Sequence, residues 1–432
     1  MKNTKDLYIS NFNALEESLN GQSKSPFHEL RKKAMEKFGQ FDFPTTKHED
    51  WKYTNISAIH NYDFAGVDNV KVTKEEIKKH LIPGLDANLA VLINGHYSNE
   101  LSDIKEKANG VIVDSFQNVL KSNPELILKY FGKYAEIDNG FVALNTAFAN
   151  DGVVIFVPEN TVLQKPVFIL NLTGSKDSYV LSQPRNLVVA EKNSKLSIVD
   201  LFHSISDKET LTNVVNEVIV GNSAHVEMYK IQDENQKAFH FNRTQSYQSA
   251  NSTFTIYNVT LGGQLVRNDS NVVLDAENCT GNLYGLYLTE GTQHIDNHTL
   301  IDHAKPHCQS NELYKGVLND KSRGVFNGKV FVRKDAQKTN AYQSNKAILL
   351  TDEATIDTKP QLEIYADDVK CSHGAAIGQL DYEAVFYLRS RGISEEMAKT
   401  VLIRAFADDI FDLIPSEPLH EYLNNLVHTK LK

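Results

Sequence analysis

The chain has 432 residues, a formal charge of −10 and 41% hydrophobic residues, the composition of an ordinary globular chain without low-complexity tracts. Its three cysteines, at 279, 308 and 371, form no CxxC pair and are too few for a Cys₄ centre, which excludes zinc ribbons, thioredoxin-type motifs and self-contained cluster loops. Net acidity without a basic block argues against nucleic-acid binding, and no run approaches 18 apolar residues, so no membrane-spanning helix is expected.

The N-terminus lacks the apolar core of a signal peptide, and the odd, sparse cysteines suit a reducing compartment, so a cytoplasmic location is expected. The sequons at Asn171, Asn251, Asn278 and Asn297 carry no meaning in a chain that is not secreted.

Residues 1–150 read as a mainly helical region. Leu15 and Leu19, then Phe27, Leu30, Ala34 and Phe38, recur at helical spacing until Pro44 breaks the pattern. Lys74–Leu81 and Pro124–Tyr134 are further short helices, with a strand at Leu89–Ile93. From 151 to 380 the period changes to two. Strand-like runs follow at 186–190, 195–201, 213–220, 224–231, 253–261, 264–274, 282–288, 324–332 and 347–350. Val214, Asn216, Val218 and Val220 share one face, as do Val226 and Met228. No helix-length pattern intervenes, which excludes βαβ architecture and leaves a β-sandwich or a parallel β-helix.

Residues 381–432 return to helix. Asp381 caps a helix that Gly392 stops, and Ser394 caps a second. The stripe Met397, Val401, Leu402, Ala405, Phe406, Ile410 and Leu413 suits docking onto the β core or a partner. A third helix runs from about Pro418 to His428.

Nucleotide-binding glycine loops and the GxSxG elbow are missing, so no nucleotide of its own is expected. His294, His298, His303, His307 and Cys308 cluster in sequence and form one candidate metal group, with polar turn residues as the plainer reading. Cys371 and His373 form another. If extended they point to one side, and thiolate and imidazole suit iron, zinc or copper. Two ligands do not close a site, so a second chain would have to complete it. Asp367 and Asp368 are candidate catalytic carboxylates, weakened because adjacent strand residues face opposite ways.

The pieces NGK (327–329), DAQKTNAYQSN (335–345), KPQLEI (359–364), CSHGA (371–375) and FYLRSRGI (386–393) closely resemble, in order and spacing, the SufB/SufD family of iron–sulfur cluster assembly proteins. HEDWKYTN (48–55) and DHAKPHCQSNELYKG (302–316) extend the resemblance over nearly the whole chain. Within the family it is most similar to the SufD branch, because the longer SufB proteins often carry a cysteine cluster near the N-terminus that is absent here. The resemblance implies a right-handed parallel β-helix with helical regions at both ends. It implies a non-catalytic scaffold subunit in a complex with SufB and two copies of the ATPase SufC, mobilising iron and sulfur at the SufB–SufD interface.

By the same resemblance, His373 lies at that interface and serves a nascent cluster or iron shared with a SufB cysteine. Cys371 matches a family cysteine of less certain need. Phe386, Tyr387, Leu388, Arg389, Ser390, Arg391, Gly392 and Ile393 belong to the SufC-docking region. A homodimer is the expected alternative state when the chain is alone. The rival expectations are a purely structural scaffold without ligands and, more distantly, a β-helix carbohydrate-active enzyme.

Overall fold

The computed structural model describes residues 4–18, 25–64, 70–107 and 109–431. Its centre is a parallel β-solenoid of about eight turns. The chain alternates between two sheets, and each strand pairs in parallel with the strand one turn later. One sheet contains Asn88–Ile93, Val167–Thr173, Lys195–Ser204, His225–Asp233, Thr253–Thr260, Thr280–Thr289, Gln309–Leu318, Asn340–Leu349 and Lys370–Gly378. The other contains Val153–Val157, Arg185–Ala190, Thr210–Val220, Phe239–Gln248, Leu265–Leu274, His294–His303, Arg323–Val332 and Thr355–Ile364. The β-helix alternative is therefore the correct one, and the sandwich is not.

The expected strands are present, but several polar ones lay hidden from the pattern. Phe239–Gln248, Thr355–Ile364 and Lys370–Gly378 carry too many polar residues for an apolar period of two. The reason is inside the solenoid. Val218, Val220, Ile256 and Phe326 share the interior with polar residues that satisfy one another. Asn186 donates to Asn216 at 2.8 Å, Asn216 to Asn242 at 3.2 Å, and Asn268 to Asn297 at 3.1 Å. Buried amides bonded across successive turns cost little, and they hold register as apolar residues cannot.

A second ladder forms one corner. Asn160, Asn193, Ser223, Asn251, Asn278, His307 and Lys338 all have positive φ and recur about 30 residues apart. Each backbone N–H from Asn193 onward bonds a carbonyl of the next corner, as in Asn251 to Glu277 at 3.0 Å and His307 to Gln337 at 2.9 Å. Asparagine tolerates the left-handed region because its short polar side chain bonds locally. The Asn193 and Asn278 side chains instead bond the preceding corner, donating to Asn160 at 2.8 Å and Asn251 at 3.2 Å. This is the repeat that no strict sequence motif announces.

In the N-terminal part, Thr4–Ser18 and Pro26–Phe41 are helical, the second capped by the Ser25 hydroxyl. Leu19, in the first expected apolar set, lies outside the described residues. Phe116–Ser122, Pro124–Tyr130 and Gly140–Ala147 are further helices, and the expected Lys74–Leu81 helix is the short Lys74–Lys78. The strand Asn88–Ile93 is part of the solenoid, paired in parallel with Val167–Thr173.

At the other end come the helices Tyr382–Ser390, Glu395–Phe411 and Glu417–Lys430. Asp381 and Ser394 cap the first two, as expected, and Gly392 has φ +87°. The expected stripe is divided by the fold. Ile410 joins Ile403, Ala407 and Phe411 against Tyr257, Val259, Leu286 and Val317 of the solenoid, whereas Met397, Val401 and Leu413 remain exposed. Tyr257 fixes the second helix by donating its hydroxyl to the Leu413 carbonyl at 2.6 Å.

Candidate functional site

The last turn of the solenoid differs from the rest. Among the described residues, Lys370–Gly378 pairs only with Asn340–Leu349, and Thr355–Ile364 only with Arg323–Val332, so both present an unpaired backbone edge. Register fixes the direction of the side chains. Cys371, His373, Ala375 and Ile377 sit beside Ala341, Gln343, Asn345 and Ala347, all facing inward. Ala341, Gln343, Asn345 and Ala347 are buried by the next turn, but none of the described residues forms a further turn over Lys370–Gly378. His373 is therefore exposed, and Ile377 and Ile364 are exposed apolar residues at the same open end.

Cys371 and His373 share a face, as the extended reading of the sequence requires. Cys371 is half-buried against Val330, Val332, Ala336 and Ala341, and burial pushes its thiol pKa up, which favours the neutral thiol. Behind His373 the same inward file runs through Gln343 and Glu312. The Gln343 amide donates to Glu312 at 2.7 Å. Burial pushes the Glu312 carboxyl up to about 7, against the hydrogen bond from Gln343. Among the described residues, no three His, Cys, Asp or Glu side chains are grouped to hold a metal ion.

The other candidates are dispersed. His294 meets the Thr54 hydroxyl at 3.0 Å, and His298 meets Asp296 at 3.0 Å. His303 is buried against Ser310 at 2.9 Å, burial pushing its pKa down to about 4, and His307 is a corner residue. Cys308 is buried. Asp368 is ion-paired with Lys338 across an exposed corner, and its N–H bonds Gln337. No shared carboxylate site results.

In the FYLRSRGI segment, Phe386 and Tyr387 are the most exposed apolar residues, at 73% and 57%. Leu388 and Ile393 are half-buried. Arg389 pairs with Glu395 at 3.2 Å, Ser390 donates to the Tyr387 carbonyl at 2.7 Å, and Arg391 lies over the Tyr387 ring. With Tyr382 and Val401 these rings form an exposed apolar face beside the open turn.

A family described as the SUF system FeS cluster assembly SufBD core domain matches residues 171–406, and the SufBD N-terminal region matches residues 1–169. The chain belongs to the SufBD family. An iron–sulfur cluster assembly SufBD family protein of Synechocystis is 33% identical over 95% of this chain and 92% of its own length. The iron–sulfur cluster assembly protein SufD of Escherichia coli is 31% identical, covering 88% of this chain and 87% of its own length. SufD of Bacillus subtilis is 27% identical over 93% of each.

In this SufBD chain the HEDWKYTN motif is a brace and not part of the open turn. Trp51 stacks on Phe141 with centroids 5.5 Å apart, and the Arg267 guanidinium lies 3.8 Å over the Trp51 ring. Arg267 donates to the Asp50 carbonyl at 2.6 Å and to Asp296 at 3.0 Å. Burial would raise the Asp296 carboxyl, but His298 and Arg267 outweigh it and hold it well below the usual range. Lys359, from the last turn, pairs with Glu49 at 2.8 Å. Sequence reasoning did not single out Glu312, Gln343 or Gly328 within the matched pieces. Alternation could have shown that 312, 343 and 373 share a face only once the turn length was known.

Proposed function

We propose that this chain is the SufD-type half of an iron–sulfur cluster assembly scaffold, with SufB adding its own solenoid to the open last turn. The observation that supports this most is the uncapped end itself. Solenoid ends need a polar cap or a partner, and bare strand edges pair with whatever strand is offered. Here the edge carries exposed Ile364 and Ile377 beside His373. A partner solenoid in register would bury these residues and extend both sheets.

In this reading the partner brings a cysteine thiolate to His373. Neutral imidazole binds iron, while thiolate accepts sulfur, so neither chain alone holds a nascent cluster. Cys371 stands beside it as a second thiol. SufC docks on the exposed face of Tyr382, Phe386, Tyr387 and Val401, where aromatic rings offer large apolar contact at low entropic cost. ATP-driven approach of two SufC copies would move these helices and the turn beside them. Nucleotide hydrolysis belongs to SufC, this chain is not itself catalytic, and its compartment is the cytoplasm. Alone, a second copy of the chain would cover the same open turn.

The test is metal and acid-labile sulfide content of the co-expressed three-protein complex. His373→Ala is expected to lower cluster content at least tenfold while SufB and SufC still co-purify. Full cluster content in that variant would overturn the role of His373, and failure of SufB to co-purify with a chain whose Lys370–Gly378 strand is intact would overturn the pairing.

A further inference from the structure

Three successive layers inside the last turns share one register. Glu312 faces inward beside Thr299 and Gln343 beside Gly328, and in the last turn the register partners of Gln343 and Gly328 are His373 and Pro360. In the middle layer the glycine matters. A Cβ at Gly328 would lie 2.5 Å from the Gln343 amide nitrogen, so only glycine leaves room for that amide to cross the interior. The amide is then tied down, since Gln343 Nε2 donates to Glu312 Oε2 at 2.7 Å. Both side chains are 1% exposed.

Tying the nitrogen to Glu312 fixes which way the oxygen can point. Gln343 Oε1 is buried and has no hydrogen-bond partner. A buried acceptor without a partner is costly, and a donor that reached it would relieve that cost. The adjacent strand, ~4.8 Å away, carries His373 in register on the same face. The register offers a ring N–H of His373, on the same inward file, as the donor for that acceptor. The bond would form when an added strand closes the open end and expels water from around the ring.

We propose that Gln343, anchored by Glu312 and accommodated by Gly328, is the positioning residue for His373. It accepts one ring N–H and would thereby turn the other ring nitrogen toward iron. An orienting acceptor behind a ligating imidazole fixes its tautomer and strengthens its lone pair, and loss of one costs 10- to 100-fold in metal affinity. Glu312 acts through Gln343 and touches no metal. The inference rests on the reading of His373 given above.

The experiment is a double-substitution cycle on the co-expressed complex, read as iron and sulfide per complex. Gln343→Met keeps the side-chain volume and removes the acceptor. The expected result is a fall of about tenfold with the circular dichroism spectrum and partner binding retained. Combined with His373→Ala, it should lower the content no further than His373→Ala alone, whereas a merely structural role would make the two losses multiply. Glu312→Met repeats the cycle one layer deeper and is expected to give a smaller, equally non-additive loss. Multiplying losses, or no loss in Gln343→Met, would overturn the proposal while leaving His373 its role. Full content in His373→Ala would instead overturn that role, and the proposal with it. Should neither methionine variant fold, ¹⁵N-histidine spectra of the wild-type complex decide. One fixed neutral tautomer at His373 supports the proposal, and an averaged pair overturns it.

Discussion

The two ends of the solenoid are built to opposite specifications. At the first turn, both sheets end in short antiparallel strands. His96–Tyr97 pairs with Asn88–Ile93, and Ile112–Ser115 pairs with Val153–Val157, so direction reverses and the parallel stack stops. Beside this edge, Arg185 and Glu217 form a fully buried ion pair on the outer face. Glu217 also accepts backbone N–H groups from Gly132 at 2.8 Å, Tyr134 at 3.1 Å and Ala135 at 3.2 Å, which fastens the N-terminal layer. At the last turn the described residues supply no reversing strand, and His373 and Ile377 stay exposed. One end is closed by reversing strands, and the other presents bare strand edges among the described residues.

That contrast can be broken at either end. The largest effect is expected at the closed one. Glu217→Ala strands the Arg185 guanidinium without its carboxylate and should cost about 3–5 kcal/mol in urea denaturation. Slightly smaller is a pH effect two strands inside the open end. Burial raises the Glu312 pKa to about 7 from 4.5, so the folded chain keeps a proton that the unfolded chain has released. Stability from this group is present below pH 4.5 and is lost as pH rises toward 7, by about 3 kcal/mol in all. Glu312→Gln should flatten that part of the profile, seen in urea midpoints at pH 5 and 7.5. An unchanged slope would show that the carboxyl is ionised inside.

At the bare end itself, Ile377→Lys should leave the stability of the isolated chain within ~0.5 kcal/mol, because no neighbouring turn packs on this half-exposed residue. Its effect should appear in association, as at least a tenfold weaker partner affinity by titration. The smallest effect belongs to the corner ladder. His307→Asn replaces a left-handed histidine with the residue the ladder prefers, and should raise stability by about 0.5–1 kcal/mol in thermal melts. A loss of bound metal in that variant would restore the ligand reading of this histidine.

Much of the architecture could be read along the chain. The change to period 2 near residue 151 marks where strands become continuous, although Asn88–Ile93 already belongs to the solenoid, and Asp381, Ser394 and Gly392 act as the helix signals they look like. Extended spacing alone was enough to put Cys371 and His373 on one side. Periodicity failed where the solenoid interior is polar. A strand such as Phe239–Gln248 buries both faces, so hydrophobicity marks neither. The histidine group looked like a ligand set because it is compact in sequence. Strand alternation and a corner then sent its members to Thr54, Asp296, Ser310 and a left-handed turn.

By itself, then, the sequence determined local conformation, helix boundaries, the family resemblance and the shortage of cysteines, three in all. Tertiary structure decided what becomes a neighbour. Stacking turns of about 30 residues brings Glu312, Gln343 and His373 into one file, divides the C-terminal stripe between core and solvent, and leaves the last turn uncovered. The reason is that local periods fix only which side of a strand or helix a residue occupies. Turn length fixes which residue lies beside it in the next coil, and turn length here is set by corner backbones and not by any repeated word.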